Sequence, residues 1–128
     1  MKRPDLEGLR VRLAGNDGVY LVDQGQKRLI LSPNSYNRLF MTWSNIHVDL
    51  DVEMIDSGPV MDANAFLFKH FDSPKVFLYD TGKKRWIMSP ASMTRYQFDW
   101  SKVQIYSSPL ASNGWPDGPN ISATGRPD

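Results

Sequence analysis

The sequence predicts a mainly β fold, α+β with short helices, in which two pseudo-symmetric β-β-β-α-β repeats pack as one compact domain. Three observations carry that prediction. Residues 19–33 recur fifty-seven positions later as residues 76–90, and nine of the fifteen pairs are identical: Val, Leu, Asp, Gly, Lys, Arg, Ile, Ser and Pro. The match continues through Ser35/Ser92, Arg38/Arg95, Trp43/Trp100 and Ser44/Ser101, so thirteen of the twenty-eight pairs from 19 to 46 agree. Finally, each copy is written in short β-branched and aromatic runs punctuated by Gly, Pro and Asp, and a unit of this length buries too little surface alone, so it stacks on its neighbour. The boundaries that follow are 5–61 for the first repeat, 62–121 for the second, and a polar tail at 122–128 held only by its contacts.

Within each copy, residues 9–13 and 65–69 form the first strand. The first of these alternates apolar and basic residues, as a strand with one wet face does, whereas Ala65-Phe66-Leu67-Phe68-Lys69 is apolar almost throughout, so both of its faces are buried or one lies at an interface. Residues 19–22 and 76–79 supply the second strand, and 29–31 and 86–88 the return. Asp-x-Gly between them suits a type I turn closed by a glycine bulge. Ser32-Pro33 and Ser89-Pro90 open short helices over 34–41 and 91–98, with serine as N-cap and proline at the first helical position. A fourth strand, 47–55 or 104–108, completes each unit, and Gly58-Pro59 and Gly118-Pro119 close it.

Composition narrows the function. Fifteen basic residues against fourteen acidic ones leave a net charge of +1, which provides no long-range field toward nucleic acid or anionic membrane. Cysteine is absent, excluding disulfides, thiolate metal sites and cysteine nucleophiles. No apolar run approaches the about 18 residues of a membrane span, and the amino terminus shows no apolar core of a secretory signal. The two histidines, His47 and His70, are not repeat equivalents, and neither a Gly-x-Ser-x-Gly elbow nor a glycine-rich phosphate loop occurs. The expectation is therefore a non-enzyme without a cofactor.

The pattern Val-(Tyr/Phe)-Leu-x-Asp-x-Gly-x-Lys-Arg-x-Ile-x-Ser-Pro, then a short helix, Trp-Ser-x-(Ile/Val) and a closing Gly-Pro, resembles a tandem repeat of bacterial exported and cell-surface proteins. The resemblance spans residues 5 to about 121 and implies a non-catalytic accessory module, exported or surface-associated.

Four groups of residues are candidates for binding. Arg28 and Arg85, each preceded by lysine, can fork onto a phosphate, sulfate or carboxylate, or pair with Asp23 and Asp80 across their own turns. Trp43 and Trp100 either close the core at a helix end or offer a flat platform for a sugar ring. Trp86 and Trp115 occur only in the second copy, against Leu29 and Gly58 in the first, which makes Tyr79, Trp86, Tyr96 and Trp115 the set for a specialised site. His47, Asp49, Asp51 and Glu53 alternate along the expected fourth strand, a weak oxygen-rich metal pattern that a solvated edge strand explains equally. The function expected is recognition of a glycan or cell-envelope polymer through aromatic residues. The alternative is a protein-interaction or structural module that self-associates through Phe66, Phe68, Phe71 and Phe77.

Overall fold

The structure, a computed structural model, describes residues 1–48, 50–107 and 114–122. Among these residues it contains two four-stranded sheets of identical topology. In the first, β1 (Arg10–Arg12), β2 (Val19–Asp23) and β3 (Gln26–Leu29) form an antiparallel meander, and β4 (His47–Val48) returns parallel to β1 after helix α1 (Pro33–Asn37). The second repeats this with β5 (Phe66–His70), β6 (Val76–Asp80), β7 (Lys83–Ile87), helix α2 (Pro90–Tyr96) and β8 (Gln104–Tyr106). The mainly β, twofold-repeated fold expected from the sequence is the fold observed.

Local chemistry explains the shared elements. Ser32 and Ser89 have extended backbones, and their hydroxyls accept the N–H of Ser35 and Ser92, so each helix begins on a serine cap with proline behind it. Helices this short do not persist unaided. They hold because Tyr36, Met93 and Tyr96, and Leu39, Phe40 and Phe98 just beyond, enter a core shared with Leu21, Leu67, Leu78 and Ile87 from both sheets. Burying each such side chain stabilises the fold by about 1.5–3 kcal/mol. A short antiparallel bridge ties the two helix ends: Met41 N–H donates to Gln97 O, and Asp99 N–H to Leu39 O, both at 2.9 Å.

The hairpin turns differ from expectation. The pairs Asp23↔Gln26 and Asp80↔Lys83 leave two residues in each loop, and both have positive φ: 56° and 75° at Gln24 and Gly25, 54° and 78° at Thr81 and Gly82. These are turns of the I′ kind, whose twist matches the strands, rather than type I turns with a bulge. A non-glycine residue there is strained, and a carboxylate from outside the turn compensates. Glu7 accepts the N–H groups of Gln24 and Gly25 at 2.7 and 2.8 Å, and Asp62 accepts Thr81 N–H at 3.0 Å. Asp23 is thereby free to point elsewhere.

The fourth strands are also shorter than 47–55 and 104–108. In the first copy, β4 stops at Val48 and the chain enters a 3-10 turn at Leu50–Met54. Val52 and Ile55, three apart, are both buried on the outer face of the first sheet beside Val11 and Val22, a spacing that a 3-10 turn eclipses and a strand would split. In the second copy, Ser108 lies outside the described residues.

β1 does not have a wet face either. Val11 is buried outward, while Arg10 is buried inward, where its Nη1 donates to Tyr36 OH and, at 2.6 Å, to Thr42 O. On β5, Phe68 is fully buried within the chain, against Phe77 and Trp115 at ring-centroid separations of 5.3 Å each.

Candidate binding grooves and the axial ion cluster

Two surface grooves occupy the same place in the two copies. Each is walled by a hairpin's outer strands, the Ser-Pro start of the helix and the tryptophan beyond it, and each of the ten residues lining one has its counterpart fifty-seven positions along lining the other. The first groove, about 300 Å³, includes Asp17, Leu29, Tyr36 and Trp43. The second, about 420 Å³, includes Lys75, Trp86, Met93 and Trp100.

Side-chain exchanges make the grooves unlike. In the first, Tyr36 stacks on Trp43 with ring centroids 3.8 Å apart, and Trp43 Nε1–H donates to Asn37 Oδ1 at 2.9 Å. In the second, Met93 stands where Tyr36 does, and among the described residues no aromatic ring stacks on Trp100, which is 53% exposed. Trp86 replaces Leu29, and the Lys75 ammonium lies 4.7 Å from its ring centroid, within cation–π range. Both repeat-matched tryptophans thus edge grooves, rather than closing the core.

The arginines form the other centre. Arg28 Nη1 donates to Asp23 of its own copy at 2.8 Å and to Asp80 of the other at 2.7 Å. Arg85 Nη1 and Nη2 fork onto Asp23 at 2.6 and 2.9 Å. The arginine Nε groups donate to equivalent closing carbonyls, Pro59 O at 2.9 Å and Pro119 O at 2.8 Å. Each copy therefore gives its arginine to the other copy's aspartate, the reciprocal contact a twofold axis generates. All four side chains are buried and flank a cavity of about 290 Å³. Burial alone would raise the Asp23 pKa, but the hydrogen bonds and charge of Arg85, then Arg28, outweigh it and hold the carboxyl below its ordinary range. The paired charges of these four side chains offset one another, so the cluster braces the copies together, with Lys83 at the same cavity.

The other expected site residues fall apart. Tyr96 is 1% exposed, its OH donating to Glu7 Oε2 at 2.8 Å, and burial pushes its pKa far up; it faces the core and offers no surface to a ligand. Tyr79 and Trp115 lie on the outer face of the second sheet, 4.8 Å apart, with Phe66 5.2 Å from Tyr79 and 6.0 Å from Trp115. The main-chain pairing shows that Trp115 answers to Ile55, not Gly58: Lys84 N–H donates to Pro116 O as Lys27 N–H does to Asp56 O. It is a lid on the sheet. Arg28 and Arg85 are buried as above, so only Trp86 of the expected set reaches a groove. His47 lies on β4 and Asp51 and Glu53 in the 3-10 turn, which ends the alternation that suggested a metal, and Asp49 lies outside the described residues. Among the described residues, no three His, Asp or Glu side chains converge on a point that would hold an ion. No helix among them is long and apolar enough to cross a membrane.

No protein-family model, curated protein or solved structure matches the chain. The groove must speak for itself. Trp100 was named from the sequence with Trp43; Lys75 and Met93 are the residues that sequence reasoning left out of the site, and the signal for them was present, since each differs from its counterpart, Lys75 from Gly18 and Met93 from Tyr36.

Proposed function

We propose that the protein is a non-catalytic binding module that recognises carbohydrate or a cell-envelope polymer in the groove of its second copy. One observation supports this above the rest: of two grooves lined by equivalent residues, the second is the roomier, about 420 against 300 Å³, and is walled by two indoles, Trp86 and Trp100, where the first has Leu29 and Trp43. An exposed indole beside an apolar floor is the kind of surface that a sugar ring covers, apolar face down, while the rim keeps its hydroxyls in water. The resemblance to repeats of exported and cell-surface proteins points the same way.

A glycan array and a cell-wall pull-down test the reading, each with the native chain and with Trp86→Ala and Trp100→Ala. Binding weakened by about tenfold or more in either variant, as expected for a central aromatic anchor, supports it. A blank array and pull-down end it.

The second reading is self-association. Phe68 is buried and Phe66 and Phe77 are half-covered, but Phe71 is 63% exposed, its N–H donates to Tyr106 O on β8, and Ile105 of that edge strand is 65% exposed. Sedimentation of the native chain beside Phe71→Ser and Ile105→Thr tests it. A monomer at all concentrations removes it.

A further inference from the structure

The two grooves differ in charge as well as in openness, and that difference identifies the ligand class more narrowly. The lining of the first groove contains one charged residue, Asp17; the lining of the second also contains one, Lys75, and the position of Asp17 is taken there by Pro74. The exchange from Asp17-Gly18 to Pro74-Lys75 removes an anion and adds a cation in the groove that has two tryptophans in its lining. Lys75 is exposed, and its ammonium is held near the Trp86 ring, 4.7 Å from the centroid, so a long, flexible side chain is oriented at the groove wall before any ligand arrives.

Resting on the proposal that the groove takes a saccharide, we infer that its ligand is an acidic one, a sugar whose ring covers Trp100 and whose carboxylate pairs with Lys75. The first groove, smaller and with Asp17 at its wall, repels the same ligand, so one chain binds one site's worth of it despite the duplication. A carboxylate suits the single ammonium: one charge-assisted bond adds to the apolar contact of the ring.

Titrations of the 128-residue chain decide this, read by tryptophan fluorescence and calorimetry. The probes are carboxylated oligosaccharides, polyuronate fragments and sialylated glycans, each beside its carboxyl-reduced neutral counterpart. The expected result is one site per chain, about tenfold tighter binding of an acidic probe than of its neutral form, loss of that preference in Lys75→Gln, and its recovery in Lys75→Arg. Lys75 is exposed, so these variants fold as the native chain does. Neutral and acidic forms bound equally, a preference that survives Lys75→Gln, or two equal sites overturn the inference while leaving saccharide binding intact. A chain that binds none of these probes but a neutral glycan on the array has the same consequence, whereas a blank array removes both proposals.

Discussion

The two copies keep one main chain and differ in what closes each surface. On the outer sheet face, the first copy uses the aliphatic pair Val52 and Ile55, brought over by a 3-10 turn, whereas the second lays Trp115 across Phe66, Phe68 and Tyr79. At the groove, the first copy backs Trp43 with the buried ring of Tyr36, whereas the second has Met93 in that place, and the two indoles remain about equally exposed. Residues that the copies share, the Asp–Arg pairs and the Ser-Pro caps, are structural: they set turns, begin helices and lock the halves together. The residues that differ stand where a surface is either sealed or left open.

The sharpest way to break the comparison lies in the ion cluster, where the copies are least equal. Asp23 accepts three guanidinium N–H groups, two of them from the other copy, while Asp80 accepts one, at 2.7 Å, and fills its second oxygen with Thr81 OH at 2.9 Å. Asp23→Ala leaves two buried arginines short of their counter-ion, and about 3–5 kcal/mol of stability goes with it. Asp80→Ala should cost less, about 1–3 kcal/mol, because Arg28 and Arg85 both keep Asp23. Urea unfolding measures both, and equal losses would show the asymmetry to be without energetic weight.

Acid sharpens the same point. Because the folded Asp23 pKa is held below its unfolded value of about 3.9, its contribution is complete above that value and is lost as pH falls through the lowered folded pKa. Stability of the native chain should therefore drop below about pH 4, and the drop should be shallower in Asp23→Asn, which has no proton to gain. Thermal unfolding from pH 5 to pH 2 follows it.

Much of this architecture was legible in the sequence, and beyond the turn type and the length of the fourth strands the misses have one cause. The repeat, the succession of strands and helix in each copy, the capped helices and the shared core follow from local chemistry used twice. What sequence could not show is where side chains meet across the duplication. Arg28 was expected to pair across its own turn and does reach Asp23, yet it also reaches Asp80, fifty-two residues away. Trp115 was aligned with Gly58 because the copies differ in length between the fourth strand and the closing Gly-Pro, and only the main-chain pairing places it opposite Ile55. Tyr96 looked like a surface aromatic because nothing in a short helix announces that its hydroxyl will find Glu7 of the other copy. Of the binding set, Trp86 alone was placed at a groove, since its exchange against Leu29 was visible in register.

The outer faces give the next largest effect. Trp115 packs against Phe66, Phe68 and Tyr79 but remains half-buried, so Trp115→Ala should cost about 2–3 kcal/mol, below the value for a wholly buried tryptophan. Ile55→Ala, at a fully buried position, should cost about as much despite its smaller side chain. Saccharide binding by a folded Trp115→Ala chain should match that of the native chain; a loss would return Trp115 to the site. Smaller again is Tyr96→Phe, which strands the buried Glu7 contact at 2.8 Å and should cost about 1 kcal/mol, with Tyr96 then confirmed as a link between copies by an unchanged ligand affinity.

The smallest stability effect separates the two groove tryptophans. Trp43 is stacked on Tyr36 and hydrogen-bonded to Asn37, so Trp43→Ala removes an aromatic pair worth about 0.5–1.5 kcal/mol beyond its buried area. Trp100 is about as exposed, 53% against 48%, but among the described residues it has neither partner, and Trp100→Ala should cost less than Trp43→Ala by about the 0.5–1.5 kcal/mol of that aromatic pair. Affinity should move oppositely: unchanged in Trp43→Ala and lost in Trp100→Ala. Met93→Tyr joins the two tests, since it installs the first copy's stacking ring in the second groove. It should back Trp100 with a ring as Tyr36 backs Trp43, cost about 1–3 kcal/mol through overpacking of the core position, and weaken binding, and unaltered binding in a folded variant would mean that this exchange is not what separates the two grooves.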